Sequence, residues 1–272
     1  MTETAIRLLV SDVDGTLVRH DKTLSDGNRD AVRALIADGV PATLISARPP
    51  SGMIWLAQAL GISGPLGAFN GGTLFNADGT ILVTHRIAAD DTKTMIGMFK
   101  ASQVAIWAFA DGKWFTNDLD HVRVERERLA SGLEPILRTD FNDLGDRIDK
   151  IVAVSDDRAL LQRLEKQGQA AIGARATIMQ SQVYYLDITH RLANKGDGIA
   201  ALAKAMKVDL ANVAAFGDMP NDVPMFKRAG LSVAMGQAPD DVRAAADETA
   251  ATNDDDGVAD AIARFVKPRI TP

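Results

Sequence analysis

Short apolar runs alternate with amphipathic stretches near the start of the chain. Residues 6–11, 42–45 and 66–69 are nearly all apolar, and each run leads into polar residues. Between the first two runs, Ser25 is placed to cap a helix with an apolar stripe. Between the second and third runs, residues 53–60 form a second helical pattern. Continuous apolar strands separated by helices predict an α/β fold whose doubly wound, Rossmann-like parallel sheet is buried on both faces.

The order of the patterns changes after about residue 84. Strand patterns now pair into hairpins, at residues 104–116 and 176–187, with helical patterns between them. Hairpins combined with helices are typical of an antiparallel sheet covered by helices on one face. This part of the chain is therefore predicted to form a separate α+β unit.

The alternation of helix and strand returns at Lys195 and continues through a buried strand at residues 213–216. The return implies that the second unit interrupts the first in the sequence. We predict a catalytic core made of residues 1–83 and 191–272, and an inserted domain at residues 84–190.

Composition narrows the classes of function. Of 272 residues, 46% are hydrophobic and 24% are charged, which is ordinary for a globular protein with a buried core. The formal net charge of −6 argues against nucleic-acid and anionic-membrane partners. The absence of cysteine excludes disulfides, thiolate catalysis and zinc–thiolate sites. With no signal-peptide pattern and no long apolar run, we expect a cytoplasmic protein.

Two acidic clusters follow buried strand patterns. Asp12 and Asp14 come directly after the first strand, and Asp218, Asn221 and Asp222 follow the strand at residues 213–216. Open α/β sheets place their sites at such strand ends. If the two strands are neighbours, four carboxylates converge and need a cation, and an all-oxygen set without His or Cys favours Mg²⁺, which suits phosphate substrates.

Each feature also has a structural explanation. A DVDG sequence is often a turn or part of a calcium loop, and Asp222 alone suits the first turn of a helix. Ser46 alone is a helix cap or loop serine, and Lys195 alone is a solvated lysine. Asn70 and the glycines after it form an ordinary turn on the same view.

The motifs together resemble those of the haloacid dehalogenase-like hydrolases. Residues 12–17 (DVDGTL) resemble the first family motif, Ser46 the second, Lys195 the third and residues 217–222 the fourth. Their order, and the insertion between the second and third, are similar to the Cof-type branch, which carries a large α/β cap. The sequence has Ser-Ala-Arg at residues 46–48 where Thr-Gly-Arg is frequent, which keeps the hydroxyl group.

The resemblance implies a role for each motif residue. Asp12 would be the nucleophile that forms an aspartyl-phosphate, and Asp14 the general acid and base. Ser46 and Lys195 would complete the catalytic set. Phosphate-binding positions implied by the resemblance are Gly15, Ser46, Asn70, Gly71, Lys195 and Asn221. Metal-binding positions implied by it, for Mg²⁺, are Asp12, Asp14 (through its carbonyl), Asp218 and Asp222 (through the metal's water shell).

The expected activity is a Mg²⁺-dependent phosphatase for small phosphorylated metabolites, sugar phosphates above all. Candidate specificity residues in the insertion are Arg123, Arg126, Arg128, Tyr184 and Tyr185. A phosphomutase on the same fold and a non-catalytic Mg²⁺ or phosphate sensor remain alternatives. A dinucleotide-binding oxidoreductase is disfavoured because no GxGxxG follows the first strand. The sequence does not indicate an oligomeric state.

Overall fold

The computed structural model of the protein describes residues 4–270. The strands are, in chain order, β1 (Leu8–Ser11), β2 (Ala42–Leu44), β3 (Leu66–Ala68), β4 (Thr73–Phe75), β5 (Ile81–Thr84), β6 (Ala105–Ala110), β7 (Lys113–Thr116), β8 (Pro135–Leu137), β9 (Ile148–Val154), β10 (Ala176–Gln182), β11 (Tyr185–His190), β12 (Val213–Gly217), β13 (Leu231–Ala234) and β14 (Glu248–Thr249). The α-helices are α1 (Asp26–Ala37), α2 (Ser51–Leu60), α3 (Ala89–Ala101), α4 (Val124–Ser131), α5 (Arg158–Ile172), α6 (Lys195–Ala205), α7 (Val223–Phe226), α8 (Asp240–Ala244) and α9 (Gly257–Ala261).

A five-stranded parallel sheet, in the order β14-β13-β12-β1-β2, carries the strand ends of interest. Alternate residues of its strands enter two different apolar clusters. Leu8 and Val10 pack with α6, α7 and α8, whereas Leu9 packs with α1, α2 and α9. Helices therefore cover both faces, which explains the continuous apolar runs and confirms the predicted α/β class.

The third predicted strand does not extend this sheet as expected. β3 pairs antiparallel with β4 in a small sheet of order β3-β4-β5, and only one isolated bridge, Ile45 to Gly67, joins it to the end of β2. The predicted strand residue Phe69 has φ +50°, and Asn70 has φ +59°. These two left-handed residues reverse the chain directly into β4. Residues 66–68 are therefore a strand, as predicted, and touch the parallel sheet through the parallel bridge of Gly67 to Ile45, but most of their pairing is with β4, and Phe69 belongs to the turn.

The second large sheet, hereafter the inserted sheet, has the order β10-β11-β9-β6-β7-β8. Its hairpins β6–β7 and β10–β11 confirm the two predicted hairpins. Ile106 and Ala108 of β6 face α3 and α5 in one apolar cluster. Trp107 and Phe109 point to the opposite face, where they join the cluster that also contains residues of the parallel sheet.

Local capping follows the sequence. Ser25 accepts a hydrogen bond from the backbone N–H of Asn28 at 3.2 Å and so caps α1, as predicted. Gly61 ends α2 in a left-handed conformation, φ +73°. Within residues 4–270, no helix combines the length and the apolarity needed to cross a bilayer.

Candidate active site

The strands that precede the first and fourth motifs lie side by side. β1 pairs in parallel with β12, Ser11 opposite Phe216, and the backbone N–H of Asp12 donates to the Phe216 carbonyl at 2.9 Å. β2 borders β1 on its other side and leads to Ser46. Since parallel strands end at the same edge, Asp12, Asp218 and Ser46 all emerge together there.

Lys195, the first residue of α6, reaches this edge from the other part of the chain. Its side chain is buried, and Nζ donates to Oδ1 of Asp12 and to Oδ1 of Asp222, each at 2.5 Å. Burial alone would lower the pKa of Lys195, but the two carboxylates outweigh it and raise that pKa above its ordinary value. The lysine is thus a permanent cation between two carboxylates, not a solvated surface residue.

Three carboxylates form a compact cluster around this cation. One oxygen from each of Asp12, Asp218 and Asp222 lies within 4.8 Å of the others. Burial raises the pKa of Asp12 to about 7, although Lys195 opposes the rise. Burial, followed by the charges of Asp12 and Asp222, raises the pKa of Asp218 well above its ordinary value. The cluster therefore has more negative charge than one lysine neutralises, and its oxygen-only donors fit a hard divalent cation.

Gly15 lets the two motif loops approach each other. Its φ is +81°, and a Cβ at this position would stand 2.3 Å from Oδ2 of Asp218. The next residue, Thr16, donates its hydroxyl hydrogen to Oδ1 of Asp218 at 3.1 Å. Both contacts fix the Asp218 carboxylate beside Asp12, so a glycine is required here by conformation and by space.

Asp222 organises the loop that carries Asp218. Its Oδ2 accepts the backbone N–H groups of Asp218 and Met219, each at 2.9 Å, while its Oδ1 accepts from Lys195. Any side chain at position 217 would collide with this carboxylate, since a Cβ on Gly217 would lie 2.4 Å from Cγ of Asp222. Asp222 belongs to the geometric cluster and at the same time positions Lys195 and Asp218.

Asp14 points away from the cluster towards two cations. Arg48 donates from Nε to Oδ2 at 2.7 Å and from Nη2 to Oδ1 at 2.8 Å, and Lys22 Nζ donates to Oδ1 at 2.5 Å. Burial would raise the pKa of Asp14, but Arg48 and Lys22 outweigh burial and hold that pKa below its ordinary value. The structure thus holds Asp14 as a carboxylate.

The loops after β2 and β3 face the same edge. The Ser46 hydroxyl accepts the backbone N–H of Arg48 at 3.2 Å, which leaves its own hydrogen to donate. Asn70 donates its backbone N–H to the Ser46 carbonyl at 2.7 Å, and its Oδ1 accepts from Asn221 Nδ2 at 3.2 Å. The Oδ1 of Asn221 is buried and has no hydrogen-bond partner in the described part of the chain.

Gly71 lies somewhat apart from these groups. Its φ is +89°, and a Cβ there would stand 2.5 Å from the Cα of Gly198 in α6. The visible requirement at Gly71 is close packing of the turn against α6, which in turn positions the start of that helix. Its predicted contact with phosphate stays a prediction.

A cavity opens from these groups towards the inserted sheet. Asp12, Asp14, Ser46, Lys195 and Asn221 form part of its wall. The remaining lining residues include, from the other side of the cavity, Arg126, Glu127, Ala130, Lys150, Ser181, Gln182, Tyr184 and Tyr185. The site therefore lies between the parallel sheet and the inserted sheet.

Three of the five candidate specificity residues, Arg126, Tyr184 and Tyr185, line this cavity. Arg123 instead stacks over the ring of Tyr184 at 4.0 Å and pairs with Asp156 at 2.6 Å. Arg128 pairs with Glu125 and Glu134 in partly exposed ion pairs. Neither Arg123 nor Arg128 lines the cavity, although Arg123 contacts Tyr184, which does.

The sequence analysis missed Glu127, Lys150 and Lys22. Glu127 stands in a run of alternating charges that suggests a solvated helix face, yet it lies three residues from both Val124 and Ala130, which are buried positions of α4. That spacing was the available signal. Lys150 is a charged residue within the apolar strand β9, which was a second signal. Nothing comparable marks Lys22.

Comparison with known proteins assigns the chain to one family of hydrolases. The profile of the haloacid dehalogenase-like hydrolases matches residues 9–262. The chain is 27% identical over 261 residues to the Bacillus subtilis 5-amino-6-(5-phospho-D-ribitylamino)uracil phosphatase YcsE, with 96% of each chain covered. It is 27% identical over 233 residues to the HMP-PP phosphatase of Cronobacter sakazakii, with 85% of each covered.

Solved structures agree with these matches. A haloacid dehalogenase-like hydrolase from Bacteroides thetaiotaomicron superposes with a TM-score of 0.84 at 27% identity, and the match covers 96% of this chain and 99% of that chain. A haloacid dehalogenase-like hydrolase from B. subtilis gives a TM-score of 0.85 at 24% identity, which supports the fold.

Proposed function

The chain belongs to the haloacid dehalogenase-like hydrolases, and from this premise we propose that it is a Mg²⁺-dependent phosphatase of small phosphorylated metabolites. The observation that carries the proposal is the convergence of Asp12, Asp218 and Lys195 at one strand edge beside a cavity. Relatives that match nearly the whole chain are named as phosphatases, which supports the reaction class.

The proposed metal site uses the carboxylates of Asp12 and Asp218, with the Asp14 carbonyl and Asp222 supporting it. When bound, Mg²⁺ would neutralise charge on the nucleophile and on the phosphoryl group. The carboxylate oxygens within 4.8 Å of one another and the raised pKa of Asp218 fit this assignment.

Asp12 is the proposed nucleophile. Its ionised carboxylate attacks phosphorus, the bond to the leaving alcohol oxygen breaks, and an aspartyl-phosphate forms. Lys195, held 2.5 Å from Asp12, reduces the repulsion between this carboxylate and the anionic substrate. Water then attacks the same phosphorus and restores Asp12.

Asp14 is the proposed general acid and base. As an acid it gives a proton to the leaving oxygen, and as a carboxylate it takes a proton from the attacking water. The contacts of Arg48 and Lys22 favour the second state. We therefore propose that these cations turn towards the phosphoryl oxygens when substrate binds, which frees Asp14 to carry a proton.

Phosphate binding is assigned to groups with unused hydrogen-bonding capacity. Ser46 keeps a hydroxyl hydrogen to donate, and the backbone around Gly15 has the turn geometry that brings N–H groups near an anion. Asn221 and Asn70, which bond to each other, would hold the loops that surround the phosphate. Gly71 would contribute by setting the position of α6.

Residues 84–190 are proposed to be a specificity cap. They contain the whole inserted sheet and supply the cavity wall that faces Asp12 and Asp14. A wall of this kind excludes water from the reacting groups and contacts the leaving alcohol. The relatives' named substrates, a phospho-ribitylamino compound among them, are consistent with small metabolite esters for this chain as well.

The proposal is tested by measuring free phosphate released from a panel of phosphorylated metabolites, with Mg²⁺ and with chelator. We expect multiple-turnover release that depends on Mg²⁺. Conversion of one phosphate ester into an isomer without phosphate release would identify a phosphomutase. Binding of Mg²⁺ or phosphate without any turnover would identify a sensor and contradict the phosphatase proposal.

A further inference from the structure

Two short crossings of the chain join the inserted sheet to the rest of the fold, and each crossing carries a histidine. The first crossing lies between β5 and α3, and the second lies between β11 and α6. Building on the proposed role of residues 84–190 as a cap, we propose that the stacked rings of His85 and His190 form a pH-sensitive hinge. The hinge favours the cap docked over the active site, as in this structure, while the rings are neutral, and favours a released cap when they are protonated.

The first crossing passes from the core to the cap between His85 and Ile87. The backbone N–H of His85 donates to the Gly72 carbonyl at 2.8 Å, next to β4 of the core. The backbone N–H of Ile87 donates to the Ile148 carbonyl at 3.0 Å, at the start of β9 of the inserted sheet. His85 is therefore held by the core, and a rotation of the cap bends the chain directly after it.

The second crossing returns to the core between His190 and Ala193. His190 is the last residue of β11 and pairs with Ala176 of β10, so it belongs to the inserted sheet. Ala193 packs against the core, since a Cβ on Gly72 would lie 2.6 Å from the Cβ of Ala193. The backbone N–H of Ala193 donates to the His190 carbonyl at 2.7 Å and closes a tight turn between them. His190 is therefore held by the cap.

The rings of the two histidines stack across the hinge. Their centroids are 5.3 Å apart, and the ring planes differ by 17°. Because the core holds His85 and the cap holds His190, this contact changes when the cap rotates relative to the core. Neutral rings pack favourably at such a spacing, whereas two imidazolium cations repel each other across it. Protonation of both rings therefore disfavours the docked cap.

His190 also needs a neutral ring for its own turn. Its Nδ1 accepts the backbone N–H of Leu192 at 3.1 Å, so the hydrogen of the neutral ring is on Nε2. Protonation would place a hydrogen on Nδ1 as well, facing that N–H, and would remove the hydrogen bond. The turn that leads from the cap to α6 therefore loosens together with the stack.

The surroundings of His190 favour its neutral form. Burial, followed by the charges of His85 and Arg191, lowers the pKa of His190 below its ordinary value. The other charged side chains around it come from four segments, and they are Arg86 beside His85, Asp91 of α3, Asp146 before β9 and Arg175 after α5. Ion pairs already occupy both of these arginines, Arg86 with Asp149 and Arg175 with Asp91.

Linkage gives the sign and the size of the effect. A pKa that is lower in the docked state means that docking is favoured above the ordinary histidine pKa of about 6.5 and is weakened as pH falls below it. The ratio of docked to released cap should fall by about tenfold for each pH unit by which docking lowers the pKa of His190.

The test measures the distance between core and cap directly. The chain has no cysteine, so spin labels can be attached at Ala34→Cys of α1 and Ala159→Cys of α5, both of which are exposed positions. Dipolar EPR then gives the distance distribution at about pH 7.5 and about pH 5.5, on either side of the histidine pKa. We expect one docked distance at the higher pH and a second population that grows as the pH falls.

His190→Asn is the decisive variant. The asparagine amide oxygen can accept the Leu192 N–H in the same turn but cannot be protonated, so the second population should be lost. His85→Gln leaves only one ring to protonate and should shrink that population. The matched control is His121→Asn, because Nδ1 of His121 accepts the Arg123 N–H at 3.2 Å in an equivalent turn away from the hinge. This control should behave as wild type.

Two outcomes would overturn the hinge: a wild-type distance distribution that is the same at both pH values, or a second population that persists in His190→Asn. Asp12 and Glu127 have pKa values of about 7, and any effect of their titration would persist in that variant. Thermal unfolding identifies a variant that fails to fold, and if His190→Asn fails, the comparison of His85→Gln with wild type decides.

Phosphate release, measured separately, distinguishes failure of the hinge from failure of the enzyme proposal. Turnover together with distances that do not depend on pH would overturn the hinge and leave the phosphatase. Distances that depend on pH through His190, without turnover of any ester, would support the hinge and overturn the phosphatase. Absence of both would overturn both.

Discussion

The two walls of the cavity satisfy their charged groups in opposite ways. On the side of the parallel sheet, Lys195 compensates Asp12 and Asp222, and Arg48 with Lys22 compensates Asp14. On the side of the inserted sheet, Glu127 accepts no hydrogen bond from residues 4–270 and has only the nearby charges of Lys150 and Arg48. On the first wall the carboxylates of Asp12, Asp14 and Asp222 thus have cationic partners within the protein, whereas on the second wall the carboxylate of Glu127 lacks a hydrogen-bonded one. If the first wall carries the proposed chemistry and the second the proposed selectivity, substitutions on the two walls should have different effects.

Replacement of the proposed nucleophile should reduce phosphate release more than any other change, and by the same factor for every ester. Asp12→Asn keeps the size of the side chain but cannot attack phosphorus, so phosphate release should fall by roughly 10³-fold or more for every ester. Steady-state phosphate release checks this, with the exposed Asp38→Asn as the control. Retention of near wild-type release by Asp12→Asn would remove Asp12 from its proposed role.

Removal of metal should be nearly as severe and equally independent of the leaving group. Without a divalent cation, Asp12 and Asp218 repel each other and the substrate, so chelator should reduce release by more than about 100-fold, and Mg²⁺ should restore it. Added Mg²⁺ should also raise the melting temperature, because it binds only the folded cluster. An Asp218→Asn variant should show little such rise, and equal rises in both proteins would contradict the assignment.

The buried lysines Lys195 and Lys150, one on each wall, allow the stability of the two walls to be compared. Lys195→Met leaves Asp12 and Asp222 buried without their cation, and should lower the free energy of unfolding by about 3–5 kcal/mol at pH 7. Lys150→Met removes a 3.5 Å ion pair with Asp187, a hydrogen bond to the Ala47 carbonyl and the positive charge near Glu127. Because Lys150 makes no carboxylate contact as short as the two of Lys195, the loss should be smaller. Urea unfolding at pH 7 measures both. A larger loss in Lys150→Met would mean that the inserted sheet, not the catalytic wall, depends more on its buried cation.

The pH dependence of stability should have opposite signs at two carboxyl groups that line the cavity, Glu127 and Asp14. Burial raises the pKa of Glu127 to about 7, so the folded protein binds this proton more tightly than the unfolded chain, and stability is lost as pH rises from about 4.5 to 7. Glu127→Gln lacks this loss and should be more stable than wild type by on the order of 3 kcal/mol at pH 8, with no advantage near pH 4.

Asp14 provides the contrasting case for the same urea titrations. Its lowered pKa stabilises the folded protein above the ordinary pKa of an aspartate, and this contribution is lost as pH falls towards the folded value. Asp14→Asn should therefore be less stable than wild type at pH 7. A change of stability with the same sign in both variants at pH 8 would contradict the opposite pKa shifts of Glu127 and Asp14.

The catalytic wall was largely predictable from the sequence. Its residues follow apolar strands, and the carboxyl ends of neighbouring parallel strands meet at one edge, so Asp12 and Asp218 were expected together on the condition that their strands are neighbours. The pairing of β1 with β12 meets that condition. Lys195 was identified only through the resemblance of its motif. The third strand was predicted one residue too long, because the left-handed conformations of Phe69 and Asn70, which turn the chain into β4, are not visible in an apolar run.

The cavity wall on the side of the inserted sheet was less predictable from the sequence. Its residues come from α4, β9, β10 and β11, and which face of each element looks inward depends on packing between distant segments. Arg123 and Arg128 have the same chemistry and nearly the same position as Arg126, yet only Arg126 reaches the cavity. The inward position of Glu127 could have been inferred from its spacing to Val124 and Ala130, but the charged residues on either side suggested a solvated helix face.

The most direct test of the central claim is the mass of the peptide that contains Asp12, after acid quenching of the enzyme during turnover with Mg²⁺ and a hydrolysable ester. We predict that this peptide gains one phosphoryl group on Asp12, and that the gain is absent after chelation and in Asp12→Asn. Continued phosphate release with an unmodified Asp12, or with the phosphoryl group on another residue, would contradict the account.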